Sequence, residues 1–403
     1  MLGIIALGVV KRQSKAASWA LLGCSNASPQ CALHSHATPN PMGGPGFVFD
    51  IDGVLTRGRS VLEPAKKAFE KLTTAQGWKY PVCFLTNGGG VTEAQKAAEL
   101  SDWLNVPASE DQVILSHTPM RSLVPALQNQ PVLICGRGSV LDVAKYYGFK
   151  RCMTVEQLAH AMPNAVPFAQ LPGSAEMRNK DGPAQELPTE ENPIKAVLVL
   201  TDPRNWYVDL QIILDVLMSG GVPTRSPTES GSVTSPVDLY FSNPDLLWAN
   251  DFPRNRLGQG AFAHVLLSMY NELAEGRKPD FLVKWFGKPN PEPYLLAGKS
   301  LLNQAAQMGG VIPSNSNWTS GSHTHDLAAV FSGIYCVGDN PCADIRGANR
   351  AGPPFTSVLV KTGVFKGPGN CPRDPAMICV QDVLGAVEAA LHKTRSLRFH
   401  SMR

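Results

Sequence analysis

From residue 46 onward the chain alternates short apolar runs with amphipathic stretches, and each run has the length of a buried strand. Phe47–Phe49, Tyr80–Leu85, Pro131–Cys135, Ala196–Leu200, Asp238–Phe241, Phe281–Phe286, Gly333–Val337 and Ser357–Val360 form this series. Continuous apolar runs, as opposed to strict alternation, predict strands covered on both faces. Helical spacing lies between them. Glu63-Pro64 opens a helix, with proline in the first turn where its missing N–H removes no bond. Ala65, Ala68, Phe69 and Leu72 follow at helical period, with Lys66, Lys67 and Lys71 on the wet side. Further helices are predicted over 92–104, 207–218, 260–273, 290–308 and 381–391. Strand and helix in alternation predict an α/β fold with parallel strands and right-handed crossovers.

The polar residues that interrupt this pattern stand directly after strands. Phe47-Val48-Phe49 runs into Asp50-Ile51-Asp52-Gly53, and Tyr80–Leu85 runs into Thr86-Asn87 and three glycines, Gly88 to Gly90. Phe281–Phe286 is followed by Gly287-Lys288-Pro289, and Gly333–Val337 by Gly338-Asp339 with Asp344 five positions on. In open α/β sheets ligands bind outside the carboxyl ends of the strands. A carboxylate there without a partner is expensive to bury, so two in succession require a cation, a reacting phosphoryl group, or both. With all four strand ends on one parallel sheet, these residues would share one edge.

Phosphoryl transfer uses every member of the set. Asp50 as nucleophile would form an aspartyl-phosphate, dividing one hard displacement into two easier ones. Charge repulsion between carboxylate and phosphate calls for Mg²⁺ on oxygen ligands. Asp50 and Asp339 offer carboxylates and Asp52 its backbone carbonyl, with Asp344 holding a metal-bound water or buttressing the site. The Asp52 side chain is placed to protonate the leaving oxygen and then to activate water. Thr86 and the amides of the Asn87–Gly90 turn, Gly88 among them, suit the phosphoryl oxygens. Lys288 offsets the negative charge.

Other features add less. Gly136-Arg137-Gly138 lacks the third glycine of a dinucleotide-binding fingerprint, since residue 141 is Leu, and reads as a strand-to-helix turn. His34/His36 and His323/His325 have no supporting ligands and read as surface residues. Residues 161–193 read as a long loop and 313–325 as a low-complexity insert. A net charge of +3 is too small to imply nucleic-acid or membrane binding, and no apolar run reaches the roughly 18 residues that span a bilayer. Nine dispersed cysteines without a Cys-x-x-Cys pair read as free thiols in a reducing compartment. The first 49 residues contain no acid and carry Lys11, Arg12 and Lys15, the description of a mitochondrial presequence, and residues 1–44 are set apart from the fold. Residues 393–403 read as a basic, frayed tail.

Asp50-x-Asp52-Gly-Val, Thr86-Asn87, Gly287-Lys288-Pro289 and Gly338-Asp339-x4-Asp344 together resemble the four motifs of the haloacid dehalogenase-like superfamily. About 200 residues separate Thr86 from Lys288, a spacing similar to members with a large α/β cap, the NagD and p-nitrophenylphosphatase type. Ile114–Met120, Ser242–Trp248 and Ser357–Val364 also resemble the cat-eye-syndrome critical-region group, usually assigned to mitochondria. The resemblance implies a Rossmann-like parallel-sheet core from 46–114 and 286–392, an inserted cap from 115–285, and a homodimer through the cap. It further implies a Mg²⁺-dependent phosphatase of a small phosphorylated metabolite. Arg204, Asp245, Trp248 and Arg254 are cap residues as suited to structure as to substrate. The rival reading is a mitochondrial binding or scaffold protein of this fold with little turnover. Dehalogenation fits less well, because the Asp52 acid/base arrangement belongs with phosphoryl transfer.

Overall fold

Two parallel sheets, each sandwiched between helices, carry the chain. The computed structural model describes residues 43–171, 187–225, 236–275, 281–309 and 323–401. The chain runs β1 (Gly46–Phe49), α1 (Glu63–Leu72), β2 (Val82–Leu85), α2 (Glu93–Leu104) and β3 (Val113–Ile114). It continues through β4 (Pro131–Cys135), α3 (Val140–Tyr147), β5 (Arg151–Thr154), α4 (Val155–Ala161), β6 (Ala196–Val199), α5 (Trp206–Met218), β7 (Asp238–Phe241), α6 (Gln259–Leu273) and β8 (Val283–Trp285). The last third holds α7 (Pro291–Gln307), α8 (His323–Val330), β9 (Ile334–Gly338), α9 (Arg346–Ala351), β10 (Phe355–Leu359), β11 (Ile378–Cys379) and α10 (Val383–Ser401).

The first sheet has six strands in the order β11-β10-β9-β1-β2-β3, and the second five in the order β8-β7-β6-β4-β5. Every pairing within both is parallel. β1 is central to the first sheet, with Phe49 beside Val337 of β9 and Phe84 of β2. This is the α/β architecture with a Rossmann-like parallel-sheet core that the alternation of runs predicts.

The unbroken apolar runs are explained by burial on both faces. Phe47, Phe49 and Phe84 pack with Phe69 of α1 and Val387 of α10, whereas Val48, Cys83 and Leu85 pack on the other face with Leu301 of α7 and Leu327 of α8. The second sheet repeats this, with Val197 and Phe241 toward α5 and α6 and Leu198 and Ile134 toward α3. Each fully buried phenylalanine contributes roughly 1.5–3 kcal/mol over an exposed one.

Local signals set the helix starts. Thr92 caps α2 through a reciprocal box, its Oγ1 accepting from the Gln95 amide and its own amide donating to Gln95 Oε1. Such a cap contributes about 1 kcal/mol, and here it anchors the helix that carries Lys96 and Trp103.

The structure corrects several expectations. Lys288 follows β8, a strand of the second sheet, so the four polar strand ends do not share one edge. The tail is helical through Ser401, and Thr394 is buried with its hydroxyl on the Ala390 carbonyl. Apolar spacing survives past residue 393 at Thr394, which the basic composition obscured. Residues 323–325 begin α8 and are not part of an insert. β3, β5 and β11 were not expected, because β3 and β11 have two residues each, too few to show a period, and β5 (Arg151–Thr154) opens on an exposed arginine in place of an apolar run. Residues 1–42, 172–186 and 310–322, which hold most of the leader, His34/His36, the middle of the 161–193 loop and most of the 313–325 insert, lie outside the described residues. No described helix is long and apolar enough to cross a membrane.

Candidate active site

The two sheets turn their carboxyl edges toward one cavity of about 440 Å³. Asp50, Asp52, Thr86 and Asp339 line it from the first sheet; Arg137, Asp202, Asp245 and Lys288 follow β4, β6, β7 and β8 of the second.

Asp50 is the first residue past β1, and its amide still donates to Val337 of the neighbouring strand (2.9 Å). The backbone is therefore held in the sheet while the side chain leaves it at the edge. Gly53, at φ +87°, takes the turn that a side chain would strain. Asp344 folds back over its own loop, Oδ2 accepting from the amides of Asp339 (3.2 Å) and Asn340 (2.9 Å). Lys288 Nζ donates to Asp50 Oδ1 (2.7 Å), Asp344 Oδ1 (2.5 Å) and the Leu85 carbonyl (3.0 Å). An ammonium has three protons, and all three are used. These groups are nearly dry, with exposures of 8% for Asp50, 2% for Asp339, 5% for Asp344 and 3% for Lys288.

Charge is out of balance in this dry cluster. Burial lifts Asp50 well above the ordinary carboxylate range; Lys288 pulls it down, while Asp344 and Asp339 push it up. Burial and then Asp344 raise Asp339 to about 7. Burial alone would lower Lys288, but Asp344 and Asp50 reverse that and hold it above its ordinary value, so it stays an ammonium. Burial also raises Asp52, against the opposing charges of Lys96, Lys288 and Arg137. Four carboxyl groups thus surround one lysine. Carboxylate oxygens of Asp50, Asp339 and Asp344 lie within 4.8 Å of one another. Hard oxygen donors with a deficit of positive charge fit a divalent cation such as Mg²⁺. The Asp52 side chain is outside that group, so a contribution from Asp52 falls to its carbonyl.

Thr86 is buried, and its Oγ1 accepts from the Gly88 amide (2.9 Å). The Gly88 amide is thereby engaged, and Gly88 lines the cavity through its backbone. Asn87, whose backbone amide is the group expected to meet the substrate, also lines the cavity, and its side chain is engaged elsewhere. Its Oδ1 accepts from the Lys288 amide (2.9 Å), while Nδ2 donates to the Lys288 carbonyl (3.1 Å) and to Asp245 Oδ2 (2.8 Å). That side chain clamps the lysine's backbone, and both of its N–H donors are taken. The reason is the second sheet, whose position the sequence does not display.

Of the four cap residues considered, Asp245 and Trp248 line the cavity and Arg204 and Arg254 do not. Asp245 is raised to about 7 by burial, against donation from Asn87. Lys96, Trp103, Arg137 and Asp202 also line it and were missed. The same strand-end rule, applied to the runs ending at Cys135 and Leu200, would have found Arg137 and Asp202.

Fold and site together define an α/β protein with an acid cluster at the carboxyl edge of a Rossmann-like sheet, facing a second sheet across the cavity. Residues 47–150 match the family described as haloacid dehalogenase-like hydrolase, and 285–386 a second model of HAD-like hydrolases. The chain is 36% identical over 351 residues to a mitochondrial hydrolase of Saccharomyces cerevisiae, covering 86% of this chain and 95% of that protein. It is 35% identical to a cardiolipin synthase/mitochondrial hydrolase fusion protein of Schizosaccharomyces pombe, covering 89% of this chain and 55% of the fusion. The chain therefore belongs to the haloacid dehalogenase-like hydrolases. Its fold resembles a hypothetical protein of Pyrococcus horikoshii (TM-score 0.53, 17% identity, 86% of this chain and 99% of that one). It also resembles a p-nitrophenyl phosphatase of Archaeoglobus fulgidus (TM-score 0.51, 16% identity, 86% and 99%).

Proposed function

We propose that this chain is a Mg²⁺-dependent phosphatase of a small phosphorylated metabolite, working through an aspartyl-phosphate on Asp50. The observation that carries the reading is the contact of Asp50 with Lys288, which is in turn locked to Asp344. That contact leaves one Asp50 oxygen for attack while the ammonium offsets the incoming phosphate's charge.

An Asp50 carboxylate oxygen attacks phosphorus, the ester P–O bond breaks, and the Asp52 carboxyl delivers its proton to the departing alkoxide. Water then attacks the phosphorus of the aspartyl-phosphate as the Asp52 carboxylate takes its proton. Phosphate leaves and Asp50 is regenerated. Burial favours the protonated form of Asp52 that the first step needs. Thr86 and the Asn87–Gly90 turn border the space for the phosphoryl oxygens. Asp50, Asp339 and the Asp52 carbonyl would hold Mg²⁺, which supplies neutralisation of the phosphoryl charge. Asp344 orients Lys288 and the Asp339–Asn340 turn. Residues 46–114 and 286–392 form the core in this reading, and residues 115–285 the cap that excludes water, also the surface for a homodimer. The relative's name and the acid-free leader support a mitochondrial address.

The test is phosphate release from a panel of phosphomonoesters with Mg²⁺, beside Asp50→Asn. Turnover in the native chain that falls at least 10³-fold in the variant, and that chelation abolishes, is expected. No release above the variant on any compound would return the chain to a ligand-holding role.

A further inference from the structure

Gly136-Arg137-Gly138 is the motif that the phosphatase reading leaves unused. In the fold it is the turn after β4, and it abuts the Gly88–Gly90 turn of the opposite sheet. The Ser139 amide donates to the Gly90 carbonyl (2.8 Å). A Cβ on Gly138 (φ +84°) would lie 2.4 Å from that carbonyl oxygen, and one on Gly90 (φ +92°) 2.8 Å from the Arg137 carbonyl oxygen. Only glycines permit this approach. Arg137 is fixed from its own side too. Its amide donates to Thr201 Oγ1 (2.9 Å), and its carbonyl accepts from that hydroxyl (3.0 Å). A residue of the second sheet is thus delivered at a set offset from the turn that borders the phosphoryl space.

The backbone is rigid, but the side chain is open. Arg137 lines the cavity with its side chain 53% exposed, and its nearest carboxylate, Asp202 Oδ2, is 3.6 Å away. At that distance the contact is a long ion pair that ties at most one N–H, so the guanidinium fork keeps most of its donors for a ligand. Lys96 lines the same wall from α2, held by Glu99 (2.5 Å) and the Trp103 ring (5.3 Å to the centroid). Arg137 and Lys96 are both among the charges that act on Asp52. Asp52 Oδ2 stands 3.3 Å from where a Cβ on Gly88 would lie, so Asp52 and Arg137 border the two ends of one turn, with Lys96 lining the same cavity.

We propose that Arg137, with Lys96 beside it, is an anion-reading subsite for the leaving group, and that the substrate is a phosphomonoester whose alcohol carries a second anionic group. A planar guanidinium with free N–H groups suits a carboxylate or phosphate bidentately. The inference rests on the phosphatase reading above.

The test compares 3-(phosphonooxy)propanoate and 4-(phosphonooxy)butanoate with propyl and butyl phosphate, using the native chain, Arg137→Met, Arg137→Lys and Lys96→Met. The native chain should favour an acid over its alkyl partner by at least tenfold in kcat/KM. Arg137→Met should bring that ratio toward one, chiefly through KM, because the contact is made equally before and in the transition state. Arg137→Lys should keep part of the preference, and Lys96→Met should lose less than Arg137→Met. Equal native rates on acid and alkyl compounds at both lengths overturn the inference, as does a parallel loss on both in Arg137→Met. Those outcomes leave the phosphatase reading intact. No release from any compound, 4-nitrophenyl phosphate included, overturns that reading and this inference with it.

Discussion

The two carboxyl edges that meet at the cavity are built alike, yet they treat charge in opposite ways. Around the edge of the first sheet, Asp50, Asp339, Asp344 and the incoming Lys288 are at most 8% exposed. On the edge of the second, the Arg137 and Asp202 side chains are 53% and 28% exposed and sit 3.6 Å apart. A charge pair interacts several-fold more strongly where water is excluded than at a wet surface. Dry charges can therefore drive chemistry and are costly to disturb, whereas wet ones can exchange partners with a ligand at little energetic cost. Lys288 joins the regions, since the second sheet delivers it and the first sheet's acids hold it.

Breaking the dry side should have the largest effect on stability. Lys288→Met leaves Asp50 and Asp344 buried without their cation, and loss of one partner of a buried pair costs about 3–5 kcal/mol. Denaturant unfolding of the metal-free protein measures this directly, and a loss below 1 kcal/mol would mean that the cluster is wetter than described.

A second buried network at the junction sharpens the contrast through pH. His117 is fully buried, with Nδ1 2.6 Å from the Tyr147 hydroxyl and Nε2 accepting from the Gly90 amide (3.2 Å). Tyr147 gives its proton to Glu93 Oε1 (2.6 Å), which makes Nδ1 the protonated nitrogen of a neutral ring. Burial lowers His117 to about 4, with Glu93 opposing and Arg121 reinforcing. An unfolded histidine takes its proton near 6.5, so the unfolded state binds more protons between 6.5 and 4. The His117 contribution to stability is then fully present above 6.5 and declines by up to about 3 kcal/mol as pH falls toward 4, while the raised Asp339 and Asp245 contribute with the opposite sign over that range. His117→Gln, which keeps a donor and an acceptor, should remove that contribution, so that the stability of the native chain relative to the variant declines as pH falls from 6.5 toward 4 in chemical denaturation. A difference that stays constant over that range would place the loss elsewhere.

The smallest effect belongs to the wet side. Arg137→Met should shift unfolding by no more than about 0.5 kcal/mol, even though it changes which substrates are favoured. A loss comparable to that of Lys288→Met would make Arg137 a structural strut.

Much of this was legible from residue order. The apolar runs ending in Asp50, Thr86 and Asp339 are strands, and the Glu63-Pro64 start of α1 and the Thr92 cap of α2 stand where the local pattern puts them. These features are local: a strand's period, a cap or a turn depends on residues within a few positions of one another. Asn87 shows where that reading stops. Its strand-end position puts its backbone at the cavity, but nothing local shows that its side chain would hold the Lys288 backbone and Asp245, about 200 and 160 positions away in the chain.

The chain by itself determined that acids and a lysine would stand at strand ends, because alternating apolar runs and polar stops encode the sheet edge directly. Only the tertiary structure decided that the lysine arrives from the opposite sheet, that the Asn87 side chain clamps its backbone, and that the Arg137 turn abuts the Gly88–Gly90 turn. Burial and pairing depend on which edges meet, and the meeting of two sheets is set by packing between segments far apart in sequence.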